Sequence, residues 1–257
     1  MRILVKLGGT LLDAAESRNR LARELAAVQA GGIEMAVVHG GGKQMTRFLA
    51  ERGVESRFAG GLRVTTPEVL DAVLKVFAGS VNHELVAAFV AAGARAIGLS
   101  GIDASLAEAE RMSEELGAVG RIVRADGGLL RLLSANGYLP VVACVAGDRQ
   151  GRIYNVNADQ MAAACAAAFA ADKLFFLTDV DGVRGADGGI VPELTPDGAI
   201  ALIAGGVATG GMQAKLTAAA DGLEKGVGEI VIAPGSAPGI VRRLLDREAV
   251  GSRLVRN

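Results

Sequence analysis

Apolar runs of five to seven residues recur through this chain, separated by longer stretches with helical patterning. RILVKL at residues 2–7 gives way to a helical stretch from Glu16 to Ala30; MAVVH at 35–39 follows, and KQMTRFLAERG from Lys43 resumes the helical pattern. Runs without polar alternation describe strands buried on both faces, and strands alternating with helices describe a parallel sheet covered by helices. The same reasoning predicts strands over 95–100, 120–125, 139–145, 173–178 and 229–233. Helices are expected over 68–78, 81–92, 129–136, 159–170, 196–204 and 212–225. Gly151 marks a tight turn between two short strands, and residues 104–128 suit a small hairpin layer. No repeat or Pro-rich linker divides the chain. It reads as one domain over 1–257, an α/β sandwich with lobes over 1–146 and 147–257 that meet near Cys144–Gly151.

Two of the apolar runs end in glycines beside a basic residue: LVKLGG at Leu4–Gly9 and VVHGGGK at Val37–Lys43. A strand that ends this way before a helix presents unblocked N–H groups and the positive end of a helix dipole, which favours an anion such as phosphate. The Walker spacing is absent, since Val37 and Gln44 stand where it needs glycine and a hydroxyl. GVGEIV at Gly226 precedes a strand rather than following one, so no dinucleotide fingerprint is present either. Taken singly, each glycine loop could equally be a tight turn.

Composition narrows the partners. The 27 basic and 28 acidic residues leave a net charge of -1, which gives no global field for nucleic acid or an anionic membrane. With 4% aromatics and no tryptophan, no platform for stacking bases is available. The chain enters its first strand directly, with no leader and no apolar run of membrane-spanning length, so a cytoplasmic protein is expected. Cys144 and Cys165 sit in apolar contexts and read as small buried hydrophobes, not as a disulfide or zinc site.

Six segments come in order along the chain: KLGG at 6–9, HGGG at 39–42, GLRVT at 61–65, NVNAD at 155–159, LTDVDGV at 177–183 and TGGMQAKL at 209–216. This series resembles the amino acid kinase family, and the resemblance runs from Met1 to GSRLV at 251–255. It implies a three-layer αβα sandwich around a mostly parallel sheet, with the acceptor bound by the N-terminal lobe and ATP by the C-terminal lobe. The reaction implied is ATP-dependent phosphorylation of the side-chain carboxylate of N-acetyl-L-glutamate, the step that commits glutamate to arginine synthesis. Lys6 and Lys215 match the lysines that stabilise the transferring phosphoryl group, and Asp159 the carboxylate that orients them. Gly8, Gly9 and Gly42 match backbone donors around that group. Gly41, Gly42, Arg63 and Asn155 match acceptor-binding positions. Asp179, Val180, Asp181, Gly182, Val183 and Arg184, with Val207, Ala208 and Thr209, match segments that line the nucleotide. Mg²⁺ would arrive with ATP, held mainly by phosphates and water, so no metal ligand is assigned. Arginine-inhibited hexameric relatives carry an extra N-terminal helix; its lack here implies a homodimer without arginine feedback. GIDASL at 101–106 departs from the GKDG pattern expected in much of the family, and its role is left open.

These residue types suit the chemistry. A carboxylate with a pKa of about 4.3 is already ionised at neutral pH and needs no general base to attack ATP. The difficulty is the approach of two anions, which fixed cations and oriented N–H donors address. A guanidinium at Arg63 can grip a carboxylate through two parallel hydrogen bonds, and Asn155 can both donate and accept. Residue type alone leaves other readings open. Lys6 and Lys215 could be solvated, Asp159 could cap its helix, Arg63 could pair on the surface, and Asp179 and Asp181 could form a turn. His39 reads as a brace for its loop and His83 as a helix-surface residue. Among rival functions, a kinase for acetylaminoadipate or a carrier-linked glutamate or aminoadipate differs by a methylene or by the amino-group block. One methylene is worth only about 1–3 kcal/mol. An inert amino-acid or nucleotide sensor is opposed by the joint presence of Lys6, Lys215 and Asp159.

Overall fold

A computed structural model of the chain describes residues 1–256. Its main sheet has eight strands, in spatial order Glu193–Leu194, Ser252–Leu254, Glu229–Pro234, Lys173–Thr178, Arg2–Leu7, Glu34–His39, Tyr138–Ala143 and Arg95–Ser100. The six from Glu229–Pro234 to Arg95–Ser100 run parallel, and Ser252–Leu254 is antiparallel to Glu229–Pro234 and parallel to Glu193–Leu194. The apolar runs thus became central strands: Ile3, Leu4, Val5, Leu7, Val37, Val38, Phe175 and Val231 are fully buried. Helices Gly128–Ala135, Ala158–Phe169 and Gly210–Glu224 pack on the sheet and one another, while Ala15–Ala30 packs with the helices on the other side, including Ile240–Leu245. This is the three-layer arrangement.

The chain winds from Arg2–Leu7 outward to Glu34–His39 and, much later, from Lys173–Thr178 outward the other way to Glu229–Pro234. The winding therefore reverses between the two central strands, and a crevice opens beyond their carboxyl ends. Leu7 pairs in register with both His39 and Leu177, so the segments starting at Gly8, Gly40 and Asp179 leave the sheet at one level.

Three expectations need correction. The strand expected over 120–125 lies outside the main sheet. It is part of Val119–Ala125, which joins Ala107–Arg111, Val145–Gly147 and Ile153–Val156 in a small closed barrel. Accordingly, the apolar run over 139–145 is two strands, Tyr138–Ala143 in the sheet and Val145–Gly147 in the barrel, parted at Cys144. The GIDASL segment links sheet to barrel, with Ala104 and Ser105 at φ 50° and 56°, and Asp103 Oδ2 accepting from Ser100 N (2.6 Å) and Oγ (2.8 Å).

The third correction concerns Gly79, where the sequence suggests a break between two helices. The helix instead runs from Pro67 to Ala91 through a π-helical segment, Leu74–Val81. Val69, Val73, Phe77, Val81, Leu85 and Phe89, four residues apart, are all buried. In a pure α-helix each four-residue step overshoots a full turn by about 40°, so the stripe would wind off the sheet. Within the wider π turns a four-residue step falls short of a full turn instead, which offsets part of that drift. By length and composition alone these 25 residues could cross a membrane, a test that buried helices of a globular core also pass. Here the stripe is packed into the core.

At the foot of the sheet, Glu229 is 6% exposed and meets three cations: Lys173 at 2.5 Å, Arg247 at 3.0 Å and Arg253 at 3.0 Å. Burial pushes its pKa up, but hydrogen bonds and charge from these neighbours outweigh it and hold the carboxyl below its ordinary value of 4.5. The stabilisation is therefore complete above that value and fades as pH falls through the folded-state pKa. Glu229→Gln is expected to cost about 3 kcal/mol at pH 7, because three cations lose their counter-charge. Thermal melts at pH 7 and below 4.5 check this, and the variant's deficit should shrink in acid.

Candidate active site

Lys6 interrupts the apolar run Ile3–Leu7 one residue before its strand ends and is 6% exposed. A buried ammonium is costly unless it is paired. Its partner is Asp159, whose Oδ1 lies 2.8 Å from Lys6 Nζ, while Oδ2 lies 3.4 Å from Lys215 Nζ. Burial raises the Asp159 pKa, but the charges of Lys6 and then Lys215 outweigh it and hold the carboxyl below its ordinary value. One carboxylate between two ammonium groups leaves a net positive charge facing the crevice.

Local structure explains the placement. Asp159 sits in the first turn of helix Ala158–Phe169, but the capping is done by Asn157 Oδ1, which accepts from the amides of Asp159 (2.9 Å) and Gln160 (3.2 Å). The Asp159 carboxylate is thereby released from capping to face the lysines. Lys215 comes from the second turn of helix Gly210–Glu224, and its Nζ also reaches Gly211 O at 3.4 Å.

An open cleft of about 710 Å³ holds Lys6, Gly8, Gly9, Gly42, Arg63, Asp179 and Lys215. Three helical segments begin near it, at Gly9, Gly42 and Gly210, and none has a side-chain cap on its first-turn N–H groups. Side chains cap the helix that carries Asp159, through Asn157, and two others, through Thr66 and Thr195, while Ala15–Ala30 and Gly128–Ala135 also lack such a cap. Uncapped first turns beside two lysines form an anion site. Gly8 departs from its expected role as a donor: its N–H is committed to Leu177 O at 2.9 Å. Gly9 and Gly42 stand at the open first turns of their segments, and the loops touch, since a Cβ on Gly9 would lie 3.1 Å from Gly42 N.

Arg63 lies on the hairpin strand Leu62–Arg63, its guanidinium 4.7 Å above the Phe58 ring. It donates to Thr46 Oγ1 (2.9 Å), Gly42 O (3.3 Å) and Ser56 Oγ, which holds it against the start of helix Gly42–Ala50. Asn155 stands on a barrel strand and donates to Thr65 Oγ1 at 3.0 Å; it is outside the cleft lining, as is Gly41. Of the nucleotide-segment residues only Asp179 lines the cleft. Val180, Asp181, Arg184, Val207 and Thr209 are exposed elsewhere, whereas Gly182, Val183 and Ala208 are buried. The cleft also contains Thr10, Asp13, Lys43, Thr46, Arg47, Phe58 and Thr178, which the sequence reading missed. Thr46 was findable, because it stands one helical turn after Gly42. A second cavity of about 610 Å³ lies on the far face of helix Gly210–Glu224, beside Gln160, Gln213 and Thr217. It holds none of the Lys6, Lys215, Asp159 and Arg63 group, so the chemistry is assigned to the first cleft.

Residues 1–234 match the family model described as "Amino acid kinase family". The chain belongs to the amino acid kinase family. This amino acid kinase is 63% identical over 255 residues to the acetylglutamate kinase of Solibacter usitatus, covering 99% of each chain. It is 46% identical over 239 residues to the acetylglutamate kinase of Acidobacterium capsulatum, covering 92% of each. Among solved structures it resembles the N-acetylglutamate synthase of Neisseria gonorrhoeae, solved with coenzyme A and N-acetyl-glutamate, at TM-score 0.88 and 25% identity. That match covers 100% of this kinase but 59% of the synthase chain.

Gly42 has open space where a Cβ would stand, unlike Gly41, whose Cβ would meet the Phe77 ring at 2.9 Å. Gly42→Ala should therefore melt within about 2 °C of the wild type. Its methyl enters the cleft, so ATP-dependent turnover should fall several-fold; melts and steady-state kinetics on the same preparation check both halves.

Proposed function

We propose that the chain phosphorylates the side-chain carboxylate of N-acetyl-L-glutamate with ATP, giving N-acetyl-L-glutamyl 5-phosphate. The observation that carries this reading is the buried Lys6–Asp159–Lys215 array opening onto uncapped helix starts, with Arg63 in the same cleft. The named activity of relatives at 63% and 46% identity supports the same acceptor. We read the first half of the chain as the acceptor side and the second half as the nucleotide side, with the Lys215 helix reaching across from the latter.

The acceptor carboxylate is the nucleophile and is ionised at neutral pH, so no proton has to be removed. Its oxygen attacks the γ-phosphorus in line as the bond to the β,γ-bridging oxygen breaks, and ADP leaves. Lys6 and Lys215 offset the charge spread over the transferring group, while the Gly9 and Gly42 amides donate to its oxygens. Asp159 keeps both lysines charged and aimed. Arg63 binds the α-carboxylate of the acceptor, and Asn155 is the expected partner for its remaining polar groups. Among the described residues no three His, Cys, Asp or Glu side chains converge as a metal site, and Asp159 is engaged by lysines. That donor set fits a Mg²⁺ ion carried in by ATP, with phosphate and water as its main ligands, where it would neutralise phosphate charge. A cytoplasmic location, where ATP is made and thiols stay reduced, accords with the two buried free cysteines.

Hydroxylamine converts an acyl phosphate to a hydroxamate, so trapping with N-acetylglutamate, acetylaminoadipate and free glutamate in parallel reads the acceptor directly. Hydroxamate from N-acetylglutamate is the expected result, and activity on none of the three sinks the proposal. Lys215→Ala should lower kcat by about 10²-fold or more. Arg63→Ala should act chiefly on the KM of the acceptor.

A further inference from the structure

His39 is fully buried at the end of its strand, next to the glycine loop, and no step above uses it. Its Nδ1 lies 2.9 Å from Gly40 O, and its Nε2 lies 3.0 Å from Asn82 Nδ2. Asn82, itself 3% exposed, also donates through Nδ2 to Val141 O at 2.9 Å. These contacts settle the hydrogens in turn. A backbone carbonyl only accepts, so the Asn82 atom facing Val141 must be the amide nitrogen. The same nitrogen then donates to Nε2, which must be bare, and the ring hydrogen sits on Nδ1, donating to Gly40 O. Both ends of the chain of contacts thus demand one neutral tautomer.

Holding Gly40 O has a consequence one bond away. The peptide is planar and trans, so the Gly41 N–H points opposite to the Gly40 carbonyl, away from His39. Gly41 N and Gly42 N lie on the side where Gly9 touches the loop. The other supports converge here too. Phe77 and Val81 fill the space a Gly41 side chain would need, and a methyl on Gly98 would overlap Asn82 Oδ1. Asn82 directly follows the π-helical segment, whose altered winding keeps Phe77 and Val81 on the buried face of their helix.

We infer that Asn82 and His39 form a positioning relay that sets the direction of the Gly41 amide, and with it the place of Gly42, beside the transferring phosphoryl group. The relay runs from Val141 in the sheet, through Asn82 and a single His39 tautomer, to the Gly40 carbonyl. It rests on the proposed phosphoryl transfer at that loop, and Asn82 and His39 lie outside the cleft lining.

Two measurements test it. Nitrogen-detected NMR of ¹⁵N-histidine-labelled wild-type protein should show His39 neutral with its hydrogen on Nδ1 at pH 7; hydrogen on Nε2, or an imidazolium, overturns the relay. This readout needs no substrate, so its failure is distinct from failure of the proposed reaction. The second compares His39→Leu, which removes both ring contacts, with His39→Asn, whose amide nitrogen can stand where Nδ1 stood. Misdirected amides should cost His39→Leu about tenfold or more in kcat with KM values within about threefold. His39→Asn should recover most of that loss, whereas a purely structural histidine would lower the melting temperature and leave kcat per folded molecule unchanged. Wild-type kcat in His39→Leu, or no recovery in His39→Asn, overturns the proposal. If His39→Leu does not fold, Gly98→Ala displaces Asn82 with His39 and the loop intact, and should show a several-fold kcat loss, because the ring loses the partner that fixes its tautomer; wild-type kcat there overturns the relay.

Discussion

The rest of the site depends on one buried carboxylate shared by two ammonium groups. Without Asp159, Lys6 would be an unpaired charge inside an apolar strand, a cost of several kcal/mol. With it, the strand Arg2–Leu7, the helix Ala158–Phe169 and the helix Gly210–Glu224 are tied at one point. The attraction is strong because water is largely excluded, and the excess positive charge is directed into the cleft. Stability and chemistry make the same demand on this group. It must be ionised to hold the lysines, and the lysines keep it ionised.

Around that charge the main chain does the finer work. Side chains on flexible stems place charge to within an ångström or so, whereas amides in a packed loop are fixed by the peptide plane. The two glycine loops therefore differ in kind. The Gly8 end is bound back into the sheet through Leu177 and offers Gly9. The Gly40–Gly42 end is held from below by His39 and from the side by Phe77 and Val81. Absence of side chains lets the loops touch each other, and buried neighbours supply the rigidity that glycine lacks.

Much of this was legible in the sequence because it is written in local patterns. Continuous apolar runs announced the parallel strands, and Lys6 stood out by interrupting one. Asp159, Lys215 and Arg63 were legible only as members of an ordered series, since each alone reads as an ordinary capping or surface residue. What stayed hidden depends on pairing at long range. The barrel strand Val119–Ala125 looks like any sheet strand until its partners are known. The π turn is invisible because a four-residue apolar repeat is also compatible with two helices broken at Gly79. Asn82 gave no sign at all, as its role comes from His39, Val141 and Gly98, each at least sixteen positions away. Phe58 entered the site through Arg63, whose packing the sequence does not encode locally, whereas Thr46 was readable from its place one helical turn after Gly42.

If Asp159 acts by organising the two lysines, its removal and the removal of Lys215 should overlap rather than add. A double-mutant cycle on kcat with Asp159→Asn and Lys215→Met reads this coupling directly. The account predicts that the double variant falls no more than about tenfold below the slower single variant. Losses that multiply in full would show that the carboxylate and the lysine work independently, and would contradict it.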